Sequence, residues 1–302
     1  MTGRAGTHLG LVGMALLWGV SWPAGRTLAL AMPPFAGSAW RFTLAVALLL
    51  AWMLWRDGGR WPQLTRRQWF GLALAGTVGV AGYSVFFMLA LARVEGARAA
   101  VVVTTNPVFT TLLAAWLFKE TFNLRIALGL VFAVVGAATV LTHGAPWQVF
   151  TGAIGLGEWF LLGCIGTWVA YTLMARRLLA GIDTLVATAM SALIGTVMLW
   201  LAAVLTEGAA PSLASITSLS GPGWVSLVFL AVGATVLSYV WYFRGVAELG
   251  AGTAASYISL VPVFGVVSSA WLLGEHIDAS LAIGGALAIV GVVINNQARR
   301  FA

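Results

Sequence analysis

Residues 106–120 read NPVFTTLLAAWLFKE, and residues 261–275 read VPVFGVVSSAWLLGE. Pro, Val, Phe, Ala-Trp-Leu and Glu recur in the same order and at the same spacing, 155 positions apart. The register extends outward without a gap. Residues 85–140 laid on 240–295 share 16 identities in 56 positions, among them Pro107/Pro262, Trp116/Trp271, Glu120/Glu275, Gly129/Gly284 and Gly136/Gly291. Apolar-biased sequences match often by chance, but Pro, Trp, Glu and Gly together do so rarely. A weaker echo links Ser21-Trp22 to Thr167-Trp168. The chain therefore reads as two related halves, 1–150 and 151–302.

Around this repeat the composition sets the solvent. The 302 residues are 61% hydrophobic and 8% charged, whereas a soluble domain carries about 25% charged residues. Too few charges remain to cover a soluble surface. Ten apolar runs, near 9–31, 35–55, 69–92, 97–118, 124–142, 153–175, 184–206, 222–243, 251–273 and 279–297, each approach the roughly 20 residues that a bilayer crossing needs. They are apolar all round, as lipid-embedded helices are, and lack the alternation of barrel strands. The first run is longer than a signal-peptide core and holds Trp18, Trp22 and Pro23, so it reads as a retained membrane helix. The expected fold is an all-α integral membrane protein with ten transmembrane helices. Five helices per half is an odd number, so the second half enters the membrane from the opposite side. That makes two inverted-topology five-helix repeats, an architecture common among transporters.

The basic residues form no stripe that would bind nucleic acid. They sit between the apolar runs, and their asymmetry sets orientation. With both termini inside, twelve of the 16 Lys and Arg fall on the inner side (Arg4, Arg56, Arg60, Arg66, Arg67, Lys119, Arg125, Arg176, Arg177, Arg244, Arg299 and Arg300). Four, Arg26, Arg41, Arg93 and Arg98, fall outside. Cytoplasmic termini in a bacterial inner membrane are therefore expected. Cys164 is a lone cysteine, and His8, His143 and His276 are isolated, which gives neither a disulfide framework nor a metal set. The glycine-rich GAIGLGE at 152–158 follows no strand and misses the dinucleotide pattern. No nucleophile–base set or paired carboxylates lie at mid-depth. The expectation is a protein without cofactor or enzymatic activity.

Pro107 and Pro262 are expected near the middle of helices 4 and 9. A proline there frees the carbonyl four residues earlier, which must then face a neighbouring helix or a cavity. Glu120 and Glu275 read as end-of-helix structure, with Asn123 and Asp278 as N-caps of the following helices and each glutamate complementing that helix's dipole. Gly129, Gly136, Gly284 and Gly291 suit a close helix–helix approach, either between the halves or between protomers. The protein is expected to be a monomer or a weak homodimer.

With the duplicated five-helix unit, the WGVSW of helix 1 and the ALARVEGARAA…NPVFTTLLAAWLFKE block with its second copy, the whole chain resembles the drug/metabolite transporter superfamily, specifically its ten-helix EamA-type members. Its aromatic residues look closest to bacterial YddG-type exporters of aromatic amino acids. The resemblance implies an inner-membrane exporter working by alternating access, with helices 1, 3, 4, 6, 8 and 9 around a central cavity.

The residues expected to touch a small-molecule substrate are Tyr83, Asn106 and Trp168, then Trp22, Phe87, Tyr171, Tyr239, Tyr242 and Tyr257. An aromatic cage with an amide suits a flat apolar side chain with a polar head. No Lys or Arg is expected at mid-membrane, which disfavours phosphorylated substrates. Glu158 is the one carboxylate well inside a run, a candidate for proton or substrate coupling, with Arg26 or Arg41 as its partner. Export of aromatic or other neutral amino acids is the first reading; the alternative is proton-coupled extrusion of lipophilic cations. Substrate choice is expected to lie where the two copies differ, at Asn106 against Val261 and Val102 against Tyr257.

Overall fold

The computed structural model describes residues 4–119, 122–151 and 154–298, and they are built from helices: α1 (Arg4–Ala31), α2 (Pro34–Arg56), α3 (Arg66–Leu91), α4 (Gly96–Phe118), α5 (Leu124–Leu141), α6 (Leu156–Leu178), α7 (Thr184–Glu207), α8 (Gly221–Leu249), α9 (Thr253–Leu273) and α10 (Ala279–Ala298). A short helix, Ala209–Ala214, lies between α7 and α8. Nine of the ten, α2 to α10, are long and apolar enough to cross a membrane. α1 is not among them, although it has 28 residues. Its Trp18, Ser21, Trp22, Pro23 and Arg26 lower its apolarity because α1 is packed between α8 and α9 and several of these residues face the interior rather than lipid.

The repeated proline does something different from the expected mid-helix kink. α4 is two helices, Gly96–Val103 and Asn106–Phe118, and α9, together with the two residues before it, is likewise Ala251–Tyr257 and Val261–Leu273 with a 3-10 turn, Ile258–Leu260, between them. Pro107 and Pro262 each sit in the first turn of the second piece. There the missing N–H has no intrahelical role, while the carbonyl four residues back loses its donor, so the first piece ends. Thr104 Oγ1 and Thr105 Oγ1 donate to Ala100 O (2.6 Å) and Val102 O (2.7 Å) at this break. α3 and α8 also share a local anomaly: both widen into a π-helix, at Ala75–Gly82 and Phe229–Leu237. In α8, Thr235 and Ser238 hydroxyls donate to the carbonyls five residues back, which supports the wider turn. The breaks and the π segments follow the spacing of the sequence repeat.

α5 and α10 pack along their length, and the four glycines lie in this seam. A Cβ placed on Gly136 would come 2.4 Å from Ala288 N, and one on Gly291 would come 2.4 Å from Ala133 N. The glycines therefore join the two halves of one chain. Without a hydrophobic driving force inside lipid, such backbone approach is what holds two apolar helices together.

Asn123 caps α5 through Ile126 N (3.0 Å) and Asp278 caps α10 through Leu281 N (2.8 Å), as expected. Glu120, Arg299 and Arg300 lie outside the described residues. Glu275 does not serve α10. Its two oxygens accept from Gly96 N (2.9 Å) and Ala97 N (2.8 Å), the start of α4, and Arg26 Nε lies 3.4 Å away. Glu207 does the same for α2, accepting from Phe35 N and Ala36 N at 2.9 Å each. A chain that starts a helix at the membrane edge has orphan N–H groups and a positive dipole end, and a carboxylate from the other half satisfies both.

Asp278 yields a pH prediction. The Ser280 hydroxyl, then the Leu281 amide and Arg98, hold its carboxyl down to about 2. Its folded value is depressed, so its contribution is complete above the unfolded value of about 4 and is lost as pH falls toward 2. Thermal unfolding of Asp278→Asn should fall behind its parent most above about pH 5, by about half as much near pH 3, and should approach it only at about pH 2 and below. An equal gap at pH 3 and pH 7 would refute this.

Candidate substrate cavity

Between the two halves lies a cavity of about 320 Å³, at the lower end of the size range for small-molecule sites. Its wall includes the sequence-predicted Trp22, Tyr83, Phe87, Asn106, Pro107, Trp168, Tyr171 and Tyr239. The rings form a continuous arc. Trp22 and Phe87 are 5.2 Å apart, Phe87 and Tyr83 6.1 Å, Tyr83 and Trp168 5.5 Å, and Trp168 and Tyr171 6.0 Å, between centroids. Those spacings suit aromatic contact. The arc crosses from the first half, α1 and α3, to the second, α6. Gly79 lets it form: a Cβ there would sit 2.2 Å from the Tyr171 ring.

Other expected residues lie elsewhere. Tyr242 packs on Trp18 at 5.8 Å, within the cluster around Leu11 and Met14. Tyr257 hydrogen-bonds His8 Nδ1 at 2.7 Å. Pro262 is buried off the cavity wall. Val102 is fully buried, so of the two differing pairs only Asn106 and Val261 reach the cavity. Glu158 is in the first turn of α6, away from the wall. Neither expected partner meets it: Arg26 pairs with Glu275, and Arg41 lies on the cavity wall.

Arg41 is the main departure from the sequence reading. The charge pattern puts it among the outer-face cations and leaves mid-membrane free of Lys and Arg. In the structure it lines the cavity with its neighbour Phe42. Its guanidinium lies 5.0 Å from the Phe42 centroid and 5.6 Å from the Phe87 centroid. The readable signal was its depth. It follows Pro34, the first residue of α2, by seven residues, or about 10 Å at 1.5 Å per residue. α2 and α7 join the six helices expected around the cavity, as does the end of α10, with Leu49, Ser191 and Asn296 among the residues they contribute.

Three buried polar atoms on the wall, Arg41 Nε, Ser84 Oγ and Asn106 Oδ1, have no hydrogen-bond partner among the described residues. Groups left unpaired in a low-dielectric interior are costly, and all three belong to residues of the cavity wall. Among the described residues, no Asp or Glu lines the cavity. The wall runs out to Thr188 and Asn296, so the cavity extends toward the side on which α7 starts and α10 ends. The opposite side is held by the Glu207 and Glu275 contacts.

The model of the EamA-like transporter family matches the chain twice, over residues 6–142 and 155–297. The chain belongs to the EamA-like transporter family. It is thus a multi-pass membrane transporter of the drug/metabolite superfamily and not an enzyme. It is similar to the uncharacterized transporter YyaM of Bacillus subtilis, 26% identical over 95% of this chain and 92% of that protein. It is also similar to a probable terminal-alkyne amino-acid exporter of Streptantibioticus cattleyicolor, 27% identical over 75% of this chain and 72% of that one. A solved crystal structure covering 99% of this chain and all of its own, at 23% identity and a TM-score of 0.63, shares the fold. The family match restarts at residue 155, next to the boundary that the internal repeat marks.

Proposed function

We propose that this EamA-like transporter is a secondary exporter of amino acids with aromatic or other neutral side chains. It works by alternating access between two inverted five-helix halves, with both termini in the cytoplasm of a bacterial inner membrane. The observation that carries the reading is the aromatic arc, Trp22–Phe87–Tyr83–Trp168–Tyr171, on the wall of a central cavity that Arg41, Ser84 and Asn106 also line. Rings accept a flat apolar side chain, while Ser84 and Asn106 offer hydrogen bonds to its polar head. The name of the Streptantibioticus relative points to the same substrate class. Opening the opposite face would require the carboxylates of Glu207 and Glu275 to release the starts of α2 and α4. Extrusion of lipophilic cations draws no support from this cavity, since Glu158 is off the wall and the charge on it is positive.

Counterflow in proteoliposomes tests the reading. Labelled phenylalanine, tryptophan, threonine and methionine should include at least one that exchanges saturably; absence of saturable flux for all four would reject it. Trp168→Ala removes the central ring of the arc and should raise the half-saturation concentration for phenylalanine about 10- to 100-fold. An unchanged value in a well-folded variant would place the substrate elsewhere.

A further inference from the structure

Four arginines near the membrane faces meet carboxylates. Arg26 meets Glu275, Arg56 meets Asp57 and Asp183, Arg98 meets Glu95 and Asp278, and Arg244 meets Glu248. Arg41 has no such partner among the described residues. It touches ring faces at 5.0 and 5.6 Å, and its Nε is buried without an acceptor. Ring contact recovers only part of what a guanidinium loses on leaving water. An ionisable residue kept inside a membrane protein marks a functional site, and a guanidinium is shaped for two parallel bonds to a carboxylate. The field around it has the same sign. The second pieces of α4 and α9 begin on the wall, at Asn106 and Val261, and helix starts favour negative charge.

We propose that Arg41 anchors the carboxylate of the substrate, and that the cavity therefore selects aromatic monocarboxylates by their negative charge, with the ammonium group secondary. This rests on the reading of the cavity as the transport site. One cation matches one negative charge, which fits a carboxylate better than a dianionic phosphate. Among the described residues, an ammonium group meets no carboxylate on the wall, only neutral side chains such as Asn106 and the ring faces. Deleting the carboxylate from a substrate should then cost far more than deleting the amine.

Competition with phenylalanine counterflow by the two truncated analogues tests this without any mutation. 3-Phenylpropionate should compete within about tenfold of phenylalanine, and phenethylamine at least about 100-fold more weakly, the loss of one charge-assisted bidentate contact. Arg41→Gln should weaken 3-phenylpropionate about 100-fold and bring the two analogues level, while Arg41→Lys, which keeps the charge and loses the fork, falls between. Phenethylamine competing as well as the acid, phenyl phosphate competing better than it, or the acid–amine order surviving in a well-folded Arg41→Gln variant would each overturn the proposal. If Arg41→Gln does not fold, the analogue order in the unmodified protein decides alone. If phenylalanine is not transported at all, ligand-induced thermal shifts of the unmodified protein replace counterflow. A shift with the acid and none with the amine keeps the anchor while the amino-acid reading falls; no shift with the acid removes both.

Discussion

Glu275→Ala is expected to lower the thermal midpoint of the purified protein by about 10 °C, corresponding to about 3–5 kcal/mol for a buried carboxylate removed from its partners. The Glu275 side chain is only 6% exposed, and it serves three groups: the amides of Gly96 and Ala97, and Arg26. Alanine takes the acceptor away from two helix-start donors at the edge of the bilayer. Arg26 keeps its bonds to Leu91 O and Val94 O, so it is not stranded, and the effect should come mainly from the amides. Glu275→Gln retains one acceptor oxygen and should recover part of the loss. Fluorescence-monitored unfolding in detergent measures both; a shift below about 2 °C for the alanine variant would mean that the contact contributes nothing to the folded state.

Gly136→Val and Gly291→Val are expected to abolish the monodisperse folded protein. Added bulk in a packed interior costs about 1–3 kcal/mol where side chains can shift. Here the atoms in the way are backbone, Ala288 N and Ala133 N at 2.4 Å, and they cannot shift without separating α5 from α10. Gly166 offers the matched control, because nothing lies within 4 Å of a Cβ built there. Gly166→Ala should be neutral or slightly stabilising, since alanine costs about 1 kcal/mol less than glycine within a helix. Size-exclusion profiles of the three variants give the answer. A normal profile for either seam variant would show that the seam can open without loss of fold.

The membrane class and the duplicated unit were legible in the sequence because both depend on local or periodic facts. Apolar run length reports bilayer crossing directly, and an ungapped match at 155 positions reports duplication. The caps at Asn123 and Asp278 were legible for the same reason, as they act within three residues. Glu275 was harder. Its partners, Gly96 and Ala97, are 179 and 178 residues away, so sequence proximity pointed to the wrong helix. A proline's freed carbonyl implies a kink, but at Pro107 the hydroxyls of Thr104 and Thr105 bond the carbonyls where the helix stops and restarts instead.

By itself, the sequence determined that this chain is a bundle of membrane helices written twice, and that aromatic residues such as Tyr83 and Trp168 sit deep in it. Only the tertiary structure decided which of those residues meet. It gathered the arc from α1, α3 and α6, left Tyr242 and Tyr257 in packing contacts, and turned Arg41 inward between Phe42 and Phe87. The physical reason is that an all-apolar helix carries little record of which face looks inward. Lipid and protein interior are equally apolar, so the side chain that faces the cavity is chosen by how helices pack against one another, through close contacts such as Gly79 against Tyr171.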